Sequence, residues 1–284
     1  MTRLLRLGLC LCACAAPGMV AAQPLPTPQA APPGPRAWIL QPGFDLPLTT
    51  SVPPEGGASS QGTQLAGSPR LQLTVRYSPR ETWFARVTGY VYLNSDRKRP
   101  WNPDFTYSFG YDSWRPGTFA LTYDNYGGNR WNPDVDRGER VTRFDEGTVT
   151  ASYKLRMPAS LESLFEADGE SRWSASVAAH LVPRYRRQDD TTRGSWKRSV
   201  SVGLRSRFYR RMYVEGRAFF YPTAEQQQPW DPDFTYGLGW FDWRPGTLSI
   251  QYGNYSGNRW FGRSRPGTGA VRNGSITMFF TTAW

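Results

Sequence analysis

His180 is the only histidine in the 284-residue chain, so it is the first place to look for acid–base or metal chemistry. Its neighbours, Ala178-Ala179-His180-Leu181-Val182, bring no serine beside it for a nucleophile–base pair. No second histidine or Glu-x-x-His spacing offers a metal site. The three cysteines, Cys10, Cys12 and Cys14, crowd the first fourteen residues. These features point away from an enzyme, a metal or a cofactor; pairs of carboxylates are the one acid–base route left open. A second group is basic: Arg76, Arg86, Lys154, Arg205 and Arg217, set against Glu215, Asp112 and Asp124. Gathered on one wall, such cations concentrate anions. A third group pairs aromatic rings with polar side chains: Trp101, Arg130 and Trp131, and again Trp230, Arg259 and Trp260, with Asn129 and Asn258 beside them. Flat rings beside amide and guanidinium donors suit a glycan, and equally the polar edge of a membrane.

Strands must position all three groups. Apolar and polar residues alternate with period two. Phe105, Tyr107, Phe109 and Tyr111 share one face, with Thr106, Ser108, Gly110 and Asp112 on the other. The same pattern predicts strands near 37–49, 69–78, 82–93, 104–113, 118–126, 144–155, 171–183, 196–207, 211–222, 233–242, 247–255 and 271–284. The first is interrupted by Pro42 and Pro47 and carries Trp38, Leu40, Phe44, Leu46 and Leu48 on its apolar face. Connections alternate between short and long, apart from 156–170, whose sequence suits a short helix. In this phase the basic group, His180 and Glu215 all fall on the polar face.

The N-terminus specifies the compartment. Arg3 and Arg6, the apolar run from Leu4 to Ala16 and the small residues Val20-Ala21-Ala22 have the layout of a secretory signal over 1–22. Residues 23–35 are a Pro-rich, extended leader, and 36–284 form the folded unit. After the signal, no apolar run approaches the roughly 18 residues that a membrane helix needs. A closed β-barrel is the other structure that satisfies every backbone group in lipid. The expected fold is therefore all-β: a transmembrane antiparallel barrel of about twelve strands, with the apolar face toward lipid and the polar face toward the lumen.

Two features sharpen this. Residues 276–284, ITMFFTTAW, place Ile276, Met278, Phe280 and Trp284 on one face. The stretch resembles the C-terminal strand signal of Gram-negative outer-membrane barrels, with Thr282 standing where an aromatic is usual. The resemblance implies the cell outer membrane, the barrel-assembly machinery, and contact with outer-membrane lipid and lipopolysaccharide. Second, 101–131 matches 230–260 at most positions, WRPGT included. The chain thus reads as two six-strand halves, about 36–155 and 171–284, with Trp114 and Trp243 in the inner girdle. WRPG forms a tight hairpin in each half, and the Trp-Asn/Asp-Pro-Asp and Asn-Arg-Trp ends crowd the outer rim.

A formal charge of +11 favours anionic partners. Nucleic acid is not expected outside the cell. In strand number and lumen charge the chain resembles the small, Arg-lined monomeric porins for acidic oligosaccharides. The expectation is a porin-like passive channel for anionic small solutes or oligosaccharides. The rivals are a plugged structural or surface-interaction barrel, a partner in exopolysaccharide export, and an outer-membrane lipid-modifying enzyme.

Overall fold

The computed structural model describes residues 37–48, 68–95, 98, 102–113, 115–126, 128–133, 143–156, 166–167, 170–171, 173–187, 193–209, 211–228, 230–242, 244–255, 258–260 and 269–283. The signal, the leader, Trp101, Trp114, Trp243 and Trp284 lie outside them.

Fourteen strands run in chain order: β1 (Ala37–Pro47), β2 (Arg70–Arg80), β3 (Trp83–Tyr92), β4 (Phe105–Asp112), β5 (Phe119–Asn125), β6 (Thr148–Leu155), β7 (Glu166–Ala167), β8 (Glu170–Ser171), β9 (Trp173–Arg186), β10 (Arg193–Tyr209), β11 (Met212–Phe220), β12 (Phe234–Trp240), β13 (Thr247–Asn254) and β14 (Ser275–Ala283). Twelve of them form one closed antiparallel barrel, each paired with its neighbour along the chain; β7 and β8 make a separate two-stranded hairpin. β1 closes the barrel against β14, with Ile39 opposite Ala283 and Pro47 opposite Ser275. Closure leaves no edge strand in the barrel. Both ends of the described chain meet at the rim that carries the WRPG turns.

The alternation sets an inverted polarity. Leu71, Leu73, Val87, Val91, Leu121, Val200, Val202, Val214, Leu238, Leu248, Ile250 and Phe280 are exposed around the outside. Thr74, Thr88, Ser108, Ser201, Ser249, Gln251 and Thr281 are buried on the inside. An apolar belt of this extent has no place on a water-soluble surface. A polar interior inside an apolar exterior is the arrangement that a barrel adopts when lipid is its outer solvent. The outward face of β14 carries Ile276, Met278 and Phe280, and inward-facing Thr281 is hydrogen-bonded by Gln41 Nε2 at 3.1 Å.

The two WRPG turns are built alike. Gly117 and Gly246 have φ of 77° and 81°, the left-handed conformation required after proline in a type II turn. Thr118 Oγ1 donates to the Arg115 carbonyl at 2.5 Å, and Thr247 Oγ1 to that of Arg244 at 2.5 Å. A methyl group added at Gly246 would meet no atom within 4 Å. Gly246→Ala therefore isolates the backbone cost, expected at about 1–2 kcal/mol for an L-residue held left-handed; urea titration of the folded barrel measures it.

Four places differ from the sequence reading. The strands expected from 144 and from 271 begin later, at Thr148 and Ser275, after short 3-10 turns at Phe144–Glu146 and Val271–Asn273. In 156–170 the described residues are extended rather than helical: 166–167 pair with 170–171, while 157–165 lie outside the described residues. β9 and β10 also run further than expected, pairing out to Arg186 opposite Arg193. There Tyr185 lies across Gly194, so close that a Cβ would sit 2.2 Å from its ring. Glycine at 194 lets that ring cover the ladder, and the connection expected between 183 and 196 is partly strand.

Candidate functional site

The inner wall of the barrel is the candidate site. The structure places Arg76 on β2, Arg86 on β3, Lys154 on β6, His180 on β9, Arg205 on β10, and Glu215 and Arg217 on β11, all in the inward phase. They gather into two charged groups and one neutral clamp.

In the first group, Arg86 Nε donates to Ser108 Oγ at 3.0 Å and its Nη2 to the Tyr126 hydroxyl at 3.2 Å. Asp124 stands 3.8 Å from the Arg86 guanidinium and accepts from the hydroxyls of Tyr126 at 2.7 Å and Thr122 at 3.2 Å. The Arg76 guanidinium lies 4.8 Å from the Phe84 ring centre. Lys154 Nζ meets Asp112 at 2.5 Å. In the second group, Arg205 and Glu215 face each other across the β10–β11 ladder with a 3.3 Å ion pair. Arg205 also lies 3.9 Å over the Tyr213 ring, whose hydroxyl donates to Gln251 at 2.7 Å. Arg217 donates to Ser176 at 3.2 Å. Below this group Ile39, Tyr213 and Phe241, with Phe279 packed against them, form an apolar cluster inside the barrel.

His180 has the serine that its sequence neighbours do not supply. Its Nε2 lies 2.8 Å from Ser201 Oγ on β10 and its Nδ1 3.0 Å from Thr150 Oγ1 on β6. Ser201 is 0% exposed. The three side chains clamp adjacent strands. The sequence contained half of this signal, since Ser199 and Ser201 share the inward phase; the register that sets Ser201 near His180 was not in it.

Three further inward groups went unnoticed in the sequence. Arg70 is buried, pairing with Asp45 at 2.9 Å and lying 4.3 Å over Tyr90. Lys197 binds both oxygens of Asp231 at 2.9 Å. Thr74 and Thr88 hydroxyls meet at 2.8 Å. Each joins residues far apart in the chain.

At the rim of long connections the two matching stretches make the same bonds. Asp104 accepts from the Trp131 amide at 3.2 Å and from Arg130 at 3.3 Å. Asp233 accepts from the Trp260 amide at 3.0 Å and lies 3.5 Å from Arg259. Arg130 and Arg259 also donate to the carbonyls of Asn102 and Asp231. These two arginines are loop staples: Arg130 is only 3% exposed. The rings project instead. Trp131 is 68% exposed and stacks on Phe105 at 4.2 Å, while Trp260 packs on Phe234 at 4.9 Å and Trp230 is partly exposed. At this rim burial near Asp231 raises the Tyr221 phenol above its ordinary range.

Fold and site together define a closed twelve-stranded membrane-type β-barrel whose narrow interior is rich in guanidinium groups. No family model matches the chain, and no curated protein matches it. Among solved structures, an outer membrane channel from Pseudomonas putida F1 aligns with 93% of this chain and 100% of its own, at 11% identity and a TM-score of 0.41.

Proposed function

We propose that the protein is an outer-membrane channel through which small anionic solutes pass passively. The observation that carries the reading is the cationic excess on the inner wall: Arg76, Arg86, Lys154, Arg205 and Arg217 against Asp112, Asp124 and Glu215. In a bore walled by low-dielectric protein, such an excess raises the local anion concentration and repels cations. The bore is narrow. Polar wall residues such as Ser108 and Gln251 are covered, and the tips of Arg86 and Asp124, 17% and 18% exposed, face what remains. The exposed Trp131 and Phe144, with Arg143 and Arg184 half-exposed at the same rim, suit the phosphate-rich outer leaflet.

The test is the zero-current potential across a salt gradient in planar bilayers. An anion-selective potential that shrinks at high salt is the expected result. The apolar cluster of Ile39, Tyr213, Phe241 and Phe279 favours a second reading, a sealed structural barrel. Absence of conductance decides for it. Assembly has its own test. If the C-terminal strand is the insertion signal, Trp284→Lys lowers outer-membrane insertion, read as loss of heat-modifiable migration on gels. Normal migration of that variant removes the signal from the account.

A further inference from the structure

Two rows on the inner wall correspond residue by residue. Arg76, Arg86, Ser108 and Asp124 stand side by side on β2, β3, β4 and β5. Arg205, Glu215, Gly237 and Gly253 stand side by side on β10, β11, β12 and β13. A tyrosine lies against each row. In the first row the chain satisfies its phenol: Tyr126 donates to Asp124 at 2.7 Å and accepts from Arg86 at 3.2 Å. In the second row Gly253 and Glu215 stand at those two places. A Cβ at Gly253 would lie 2.0 Å from the Tyr255 ring, so glycine is what lets the ring lie against the wall. A Cβ at Gly237 would lie 3.1 Å from the Tyr255 hydroxyl and 3.3 Å from Glu215 Oε1. Neither of these oxygens has a hydrogen-bond partner among the described residues, and neither has Arg205 Nε. Glu215 keeps its ion pair with Arg205 through Oε2 at 3.3 Å, and Arg217 follows on the same face of β11; Oε1 is the oxygen left over.

Buried polar atoms in native folds are satisfied by the chain or by something it holds. The three left over here are an acceptor, a donor and a phenol that can be either. A carboxylate only accepts and an ammonium only donates, whereas a hydroxyl does both. We propose that Glu215 Oε1, Arg205 Nε and the Tyr255 phenol form a binding site for neighbouring hydroxyls of a solute in the lumen. The proposal deepens the channel reading and rests on it: the cations of the wall select an anion, and these atoms select a hydroxylated one, so the solute class is the sugar acids. One hydroxyl donates to Glu215 Oε1 and accepts from Arg205 Nε; its neighbour exchanges a hydrogen bond with the Tyr255 phenol. The first row offers no such group at its tyrosine, because Asp124 and Arg86 already hold that phenol.

The experiment titrates the folded, detergent-solubilised full chain by calorimetry with glucuronate and with tetrahydropyran-2-carboxylate, which has the same ring and charge without the hydroxyls. Wild type is expected to bind glucuronate at least about tenfold more tightly than the hydroxyl-free acid. Equal affinity for the two acids, or no binding of glucuronate, overturns the proposal. Tyr255→Phe removes a hydroxyl that the chain does not use. Its unfolding midpoint is expected at the wild-type value, and its glucuronate affinity about fivefold lower, the loss of one hydrogen bond, with the hydroxyl-free acid unaffected. Unchanged glucuronate affinity in this variant, or an equal fall for both acids, overturns the proposal. Should Tyr255→Phe fail to fold, Gly237→Ala replaces it, since its methyl group enters the space beside Tyr255 and Glu215: weaker glucuronate binding supports the site and unchanged binding overturns it. The channel reading fails separately, on a zero-current potential that is absent or cation-selective, whatever the calorimeter shows.

Discussion

Asp233→Ala is expected to cost about 3–5 kcal/mol, the range for removing one partner of a buried ion pair. Asp233 is 2% exposed and accepts from the Trp260 amide, from Arg259 and, at 2.6 Å, from Gln227. Alanine leaves all three donors facing a void, and a guanidinium without its nearest acid. The damage is expected at the rim, since 258–260 and the turn around Ala224–Gln226 hang on this carboxylate while the strands keep their own ladders. Asp104→Ala is expected to cost less, about 1–3 kcal/mol, the range for a hydrogen-bonded group lost nearer water. The Asp104 side chain is 13% exposed, against 2% for Asp233. Urea unfolding in micelles gives both costs. Limited proteolysis locates the loosened segment, and equal costs for the two variants would contradict the account of these loops.

Glu215→Ala is the second large effect, about 3 kcal/mol. That is the low end of the range for breaking a buried pair, because 13% of the glutamate side chain still meets water. The alanine leaves Arg205 and Arg217 side by side on the inner wall without an acid. The first charged group tolerates two arginines because Asp112 and Asp124 stand nearby. At the corresponding places the second group has Phe241 and Gly253, which offer no charge. Arg205→Ala is expected to cost less than Glu215→Ala, because Arg217 remains beside the carboxylate. The order of the two costs is the readout, from unfolding midpoints of the single variants, and the reverse order would remove Arg217 from the network. The charge swap Arg205→Glu with Glu215→Arg restores the cross-strand pair and should recover part of the loss.

Much of the barrel was legible because a strand is a local pattern of period two. Trp38, Leu40, Phe44 and Leu46 identified the outer face of β1 despite two prolines, and Leu73, Val75 and Tyr77 sent Arg76 inward. Arg-Pro-Gly-Thr fixed both tight turns, since proline presets one dihedral angle and glycine alone accepts the next without strain. The reading failed at Glu166–Ala167 and Glu170, where a helix-like composition carries part of a β-hairpin. There the residues were judged by propensity, without the partner strand.

Partners across the lumen were not legible. Alternation tells which way a side chain points; register decides what it meets, and register depends on hydrogen bonds to another strand. Nothing local to Arg76 or Arg205 says that one faces arginine and the other glutamate. Nothing local to His180 says that Ser201 and Thr150 will hold its ring, and Ala178-Ala179-His180 misdirects the search for a serine. The rim arginines carry the same lesson. Arg130 and Arg259 read as rim binding candidates beside tryptophan, yet the β4–β5 and β12–β13 hairpins bring Asp104 and Asp233 under them and turn them into staples. The sequence by itself determined strand number, turn chemistry and the polarity of each face, because these follow from residues within a few positions of one another. Only the tertiary structure decided which side chains meet on the inner wall, Arg76 opposite Arg86 and Arg205 opposite Glu215, because those pairings are set by the register of strands joined around the closed barrel.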